Sequence, residues 1–191
     1  MVGNIPNFTK IDVLRCFLRL DNNRSRQRLA KELELGEGTV RTILKALKSK
    51  KLLNSTKRGH FLSKKGYELM AIICKVIDAP KIVTLQDIYP EFKKTGVLVK
   101  DASSLKEIYR FRDIAVKNGA EGALILRFTS RLFAPESDYE YDYKEIEKQF
   151  RLHENDVLIL SFSKNNRSAE NGALAAAIEL SNSLKKFINE F

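Results

Sequence analysis

SRQRLAKELELGEGTVRTILKALKSK, residues 25–50, decides how this chain folds. Ser25 is a side-chain acceptor placed one residue ahead of a polar-apolar helical pattern, the position of an N-cap. Leu29, Ala30 and Leu33 then recur at the spacing of one helical face. Gly36 reads as the sharp turn. Beyond it Val40, Ile43, Leu44 and Leu47 form a second apolar stripe on a helix expected over Glu37–Lys50. At about 100° per residue, Arg41, Thr42, Lys45 and Ser49 fall on the face opposite that stripe, with Thr39 on its flank. Two short helices joined by a tight turn, the second apolar behind and cationic in front, are the product of this stretch.

On the N-terminal side, Ile11–Leu20 reads as a helix with Ile11, Leu14, Phe17 and Leu18 on one face, broken by Asp21-Asn22-Asn23. On the C-terminal side the period changes. Residues 51–55 and His60-Phe61-Leu62 read as short strands around a hairpin tip at Thr56-Lys57-Arg58-Gly59. Ser63 is expected to cap a fourth helix carrying Met70, Ile73, Cys74 and Ile77 inward. Cys16 and Cys74 both read as packing residues in apolar stripes, not as a redox or metal pair.

The order helix, helix, turn, helix, hairpin, helix over about Lys10–Ile77 resembles the winged helix-turn-helix superfamily. The carriers are Arg28–Leu33, Leu35–Arg41, Leu44–Leu47, Lys51-Leu52-Leu53, Arg58–Phe61 and Leu62-Ser63-Lys64-Lys65-Gly66. The whole chain is similar to uncharacterised archaeal winged-helix proteins with an α/β C-terminal domain. The resemblance implies a major-groove recognition helix with Thr39, Arg41, Thr42, Lys45 and Ser49 toward the bases. Arg24, Ser25, Arg26 and Arg28, at the start of the second helix, are then expected on phosphates. Lys57, Arg58, His60 and Lys64 are expected around the wing. Glu37 is the discordant residue, an acid opening a helix meant for a polyanion.

Charge supports the same division. The 191 residues carry a net charge of +10. Met1–Val76 alone holds +11, and Ile77–Phe191 holds −1. A basic half beside a neutral one suggests a polyanion-binding module fused to something with another task. Apolar residues make up 43% and charged residues 30%, the composition of a globular chain. No run is long enough to span a bilayer and no signal pattern opens the chain, so a cytoplasmic location is expected.

The second half alternates strands and helices. Val97–Val99, Ala123–Phe128 and Val157–Phe162 read as strands. Ser103–Asn118, Tyr143–Phe150 and Ala169–Phe187 read as helices, and Gly119 reads as a helix stop. The expected architecture is α+β, a winged helix-turn-helix followed by a small two-layer α/β domain. The expected division is 1–78 for DNA binding, 79–96 as a linker or inter-domain segment, and 97–191 for dimerisation or ligand sensing. The best candidate for a ligand is the strand-to-helix loop with Ser163, Asn166, Arg167 and Ser168, with Arg127 as a further cation for a small anionic or polar molecule. An ordinary capped surface loop explains the same residues. Lys100–Ser104 reads as a turn with an N-cap. Residues 136–147, acidic and rich in tyrosine (Tyr139, Tyr141, Tyr143), read as a solvated face or as a restraint on the basic half.

No hydrolase, zinc or nucleotide-binding motif is present, and neither His60 nor His153 has a nucleophile beside it in sequence. The expectation is a homodimeric regulator of transcription acting on double-stranded DNA, with no enzyme activity, cofactor or metal. An RNA-associated or protein-docking module is the alternative, and an enzyme in the second half is a third reading.

Overall fold

The computed structural model describes residues 8–85, 87–102, 107–135, 137 and 140–191. The chain is α+β, with eight helices and two antiparallel sheets among the described residues. It divides into two compact units, one of residues 1–73 with 186–191, the other Cys74–Lys185. No helix is long and apolar enough to cross a membrane among the described residues.

In the first unit, α1 (Lys10–Leu18) opens on a reciprocal cap. The Asp12 N–H donates to the Thr9 hydroxyl at 3.3 Å, and the Thr9 N–H donates to the Asp12 carboxylate at 3.0 Å. Arg15 donates to Asp12 at 2.8 Å with both side chains wholly buried. Arg15 also reaches the Leu33 carbonyl at 3.1 Å, which ties α1 to the end of α2 (Arg26–Leu33). Ser25 caps α2, accepting from the Arg28 N–H.

The turn between α2 and α3 (Glu37–Ser49) is not made by Gly36. Glu34 takes the left-handed conformation, at φ 54° and ψ 46°, and Gly36 is the N-cap of α3 with an ordinary φ of −66°. Val40, Ile43, Leu44 and Leu47 are all buried, as their spacing predicts. Strands β1 (Leu53–Thr56) and β2 (Gly59–Leu62) pair in the register Leu53↔Leu62 to Thr56↔Gly59, leaving Lys57-Arg58 as a two-residue tip. Arg24, just ahead of α2, exchanges both backbone hydrogen bonds with His60 at 2.9 Å each, so β2 is flanked on both sides.

Helix α4 (Lys64–Cys74) begins where Ser63 accepts from the Gly66 N–H. Ile73 and Ile77 are buried as expected, but Met70 is only half-buried and Cys74 is exposed. The inward stripe is narrower than the sequence suggests, with only Gly66 and Ile73 buried along α4 itself. Cys16 is fully buried, and burial pushes its thiol up to about 12.

The second unit is built on one five-stranded sheet of order β3-β4-β7-β5-β6. Its strands are β3 (Lys81–Ile82), β4 (Lys93–Val99), β5 (Gly122–Phe128), β6 (Leu132–Phe133) and β7 (Val157–Ser163). Every pairing is antiparallel, although strands alternating with helices suggested α/β wiring. Residues 79–96, expected as a linker, hold β3 and the start of β4. Helices α5 (Ile108–Lys117) and α7 (Asn166–Leu180) cover one face of the sheet.

The sheet is not the bare second layer of a two-layer domain. Leu98, Leu126, Leu158 and Leu160 on its other face pack under Tyr143, Ile146 and Phe150, from and around the short α6 (Lys144–Glu147). The helix expected from Ser103 is described only from Ile108. Ser103 and Ser104, with Glu136 and Tyr139 of the acidic stretch, lie outside the described residues. The helix expected over Ala169–Phe187 is two helices. Ser181 is extended, at φ −130° and ψ 116°, and separates α7 from α8 (Asn182–Asn189).

Candidate nucleic-acid interface

Burying Val40, Ile43, Leu44 and Leu47 leaves the other side of α3 in solvent. Arg41, Lys45 and Lys48 follow one another at four and three residues, so they stand in one row on that side. All three are exposed, and among the described residues none has an ion-pair or hydrogen-bond partner. This row does not simply point away from the protein. With Arg26 of α2 and Ser55 and His60 of the hairpin, it surrounds a hollow of about 200 Å³ floored by Leu44. Three elements converge there, and four of the contributing side chains are cations.

Within the hollow the Ser55 hydroxyl lies 2.9 Å from His60 Nδ1. Burial holds the His60 imidazole below its ordinary titration range, and the charges of Lys48 and Arg26 push it further down. The imidazole is therefore neutral near pH 7 while the hollow is empty. An anion placed among these side chains offsets part of that positive charge.

The other expected contacts divide. Thr42 and Ser49 are exposed, but their hydroxyls donate to the Gly38 carbonyl at 3.2 Å and the Ala46 carbonyl at 2.8 Å. Thr39 is half-exposed on the flank of α3. The cluster expected to grip phosphate at the start of α2 is largely engaged with the protein's own carboxylates. Arg28 pairs with Glu32 at 2.8 Å, Arg24 with Glu32 at 3.5 Å and Asp21 at 3.8 Å, and Arg26 with Glu37 at 2.9 Å. Glu37 is thereby explained, since it answers Arg26 and sits at the positive end of α3. The Arg26–Glu37 and Arg28–Glu32 pairs are largely solvent-exposed, and such pairs hold by about 0–1 kcal/mol, so a phosphate can displace them. Lys57, Arg58 and Lys64 are exposed at and beyond the hairpin tip. Lys48 and Ser55 were not singled out in the sequence. The row from Arg41 to Lys48 was the available signal for the lysine, whereas Ser55 needs the hairpin register.

The residues nominated in the second unit do not form one site. Asn165 caps α7, accepting from the Ser168 N–H at 2.8 Å, and the buried Ser163 hydroxyl donates to the Gly119 carbonyl at 3.3 Å. Asn166 and Arg167 are half-buried and already engaged within the protein. Arg127 reaches Asn155 at 3.4 Å and pairs in register with Val157, at the opposite end of β7 from Ser163. Six residues of strand span about 20 Å, which removes Arg127 from the loop it was grouped with.

The class defined so far is a basic helical unit with a hairpin, joined in one chain to an antiparallel α+β unit. Comparisons with known proteins meet both halves. Residues 10–68 match the family described as "PH0730-like, N-terminal domain", and residues 91–180 match "Domain of unknown function (DUF4443)". Among solved structures, the chain is similar to the hypothetical protein PH0730 from Pyrococcus horikoshii OT3. That likeness has a TM-score of 0.79 at 25% identity and covers 95% of this chain and all of that one. No curated protein matches the chain.

Proposed function

We propose that this protein is a sequence-specific regulator of transcription that binds double-stranded DNA through a winged helix-turn-helix, α1 to α4, and acts as a homodimer. The observation that carries the reading is the row Arg41, Lys45 and Lys48: three exposed cations without internal partners on the face of α3 turned from the core. Solubility does not require such a row, whereas a helix entering a major groove requires an apolar back and a cationic front. The hairpin tip adds Lys57 and Arg58 for the flanking backbone.

The convergence of Arg26, Lys45, Lys48 and His60 on one hollow supports seating a backbone phosphate between α3 and the hairpin. Phosphate contacts set orientation and Arg41 discriminates bases, a contact worth about 1–3 kcal/mol when it pairs with guanine.

Selection of duplexes from a random pool, followed by fluorescence anisotropy with the selected duplex, tests the reading. Arg41→Ala is expected to relax preference at one base position. Lys48→Ala is expected to weaken all duplexes alike and to flatten the dependence of log affinity on log salt by about one unit. Structured RNA bound as tightly as the selected duplex, or no selection at all, would refute the proposal.

A further inference from the structure

The outer surface of α5 carries four exposed residues in one stripe: Tyr109, Arg112, Asp113 and Val116. Their spacing of three, four and seven residues is that of neighbours on one helical face. Tyr109 is 56% exposed and Val116 49%, large apolar side chains left in water on a helix whose other face, through Ile108, Phe111 and Ala115, is buried. Arg112 and Asp113 have no hydrogen-bond or ion-pair partner among the described residues.

Beside this stripe lies an open strand edge. Strand β5 pairs with β7 along its length, but on its other side β6 reaches only Arg127 and Phe128. Among the described residues, nothing pairs with that side of Gly122–Leu126. A cavity of about 700 Å³ is lined both by Arg112, Asp113 and Val116 and by Gly122 to Ile125, so the helix stripe and the strand edge face the same space.

We propose that a second copy of this chain packs on that surface, with α5 against α5 and the two β5 edges facing each other across a two-fold axis. The stripe is complementary to itself. In an antiparallel register centred between Arg112 and Asp113, the Arg112 of each copy meets the Asp113 of the other, and each Tyr109 meets a Val116. A two-fold contact must satisfy this condition, because each surface has to fit its own rotated image. The same axis turns the two β5 edges toward each other, which shields an edge that natural proteins otherwise protect. Helices packed about 8–10 Å apart, each over its own β5, hold the two β5 edges about 10 Å apart, so the edges face one another across the shared space and do not pair.

The proposal extends the homodimer of the preceding section but is read without DNA, so its failure would leave the DNA-binding reading standing. Sedimentation equilibrium of the full chain is expected to give twice the 21.8 kDa protomer mass. Arg112→Asp and Asp113→Arg each create like-charge contacts twice per dimer, and each is expected to raise the dissociation constant roughly tenfold or more. The double variant Arg112→Asp/Asp113→Arg restores opposite charges with their order reversed and is expected to recover the parent constant. Tyr109→Glu gives the same loss through the apolar contacts. All four positions are exposed, and unchanged circular dichroism confirms that the variants fold. A monomer at all concentrations, a dimer indifferent to both single swaps, or a double variant as weak as the singles would each overturn the proposal.

Discussion

His60 is the residue whose chemistry depends most on what occupies the hollow. Facing it are Ser55 from β1, Arg26 from α2, and Arg41, Lys45 and Lys48 from α3. Its depressed titration range has burial as the first cause and neighbouring cations as the second. In the free protein the unfolded chain takes up a proton at higher pH than the folded one. Stability therefore rises with pH through the window below about 6.5, and acid removes it. Binding has the opposite sign: a phosphate among the cations favours the imidazolium, so the complex binds a proton that the free protein does not. Anisotropy titrations are expected to show affinity for duplex increasing as pH falls through this window. His60→Gln, which keeps a polar side chain without titration, is expected to flatten the profile. An unchanged slope in that variant would show that the phosphate lies elsewhere.

At the scale of elements, the joint between the hairpin and α4 makes the sharpest demand on one position. A Cβ on Gly66 would run into the backbone carbonyl oxygen of Leu52, and backbone cannot yield as a side-chain tip does. Gly66→Ala is expected to lose about 1–3 kcal/mol in chemical denaturation even though alanine favours helices, the cost of overpacking exceeding the gain in propensity. An equally stable variant would mean that α4 shifts freely on the hairpin. The elements around this joint were legible because α2 and α3 bury one face each, and a buried stripe at helical period is written in the sequence, whereas α1 is buried nearly all round from Asp12 to Leu18. The two-residue strands β3 and β6 were not, since two residues cannot express a period. The break at Ser181 was missed because Ala169–Phe187 contains no proline and no late glycine. Its only mark is the cluster Ser181-Asn182-Ser183, whose first hydroxyl accepts from the Leu184 N–H at 3.2 Å and so restarts the helix. Of the candidate site, Arg41 and Lys45 could be read from the helical wheel. The pairing of Arg28 and Arg24 with Glu32, and the meeting of α3 with Ser55, depend on tertiary geometry that spacing does not record.

For the molecule as a whole, charge and symmetry act on different units. The first unit carries the whole net charge of +10 and the second is neutral, so the electrostatic attraction for a polyanion belongs to the first unit. The self-complementary surface belongs to the second. Joining two DNA-binding units in one particle makes the second binding event intramolecular, which raises overall affinity by about 10²–10⁴ without any new contact to DNA. This separates two losses that would look alike in a single binding assay. Arg112→Asp touches only the dimer, so it is expected to bind a duplex holding one half-site as the parent does. On a duplex with two inverted half-sites it is expected to fall short of the parent by roughly 10²-fold, at protein concentrations where the parent is dimeric. Lys48→Ala, in contrast, is expected to weaken both duplexes, because each half-site loses its phosphate contact. Equal losses on one and two half-sites in Arg112→Asp would mean that the second unit does not set the pairing of the DNA-binding units. The surface along α5 and β5 would then serve some purpose other than DNA recognition.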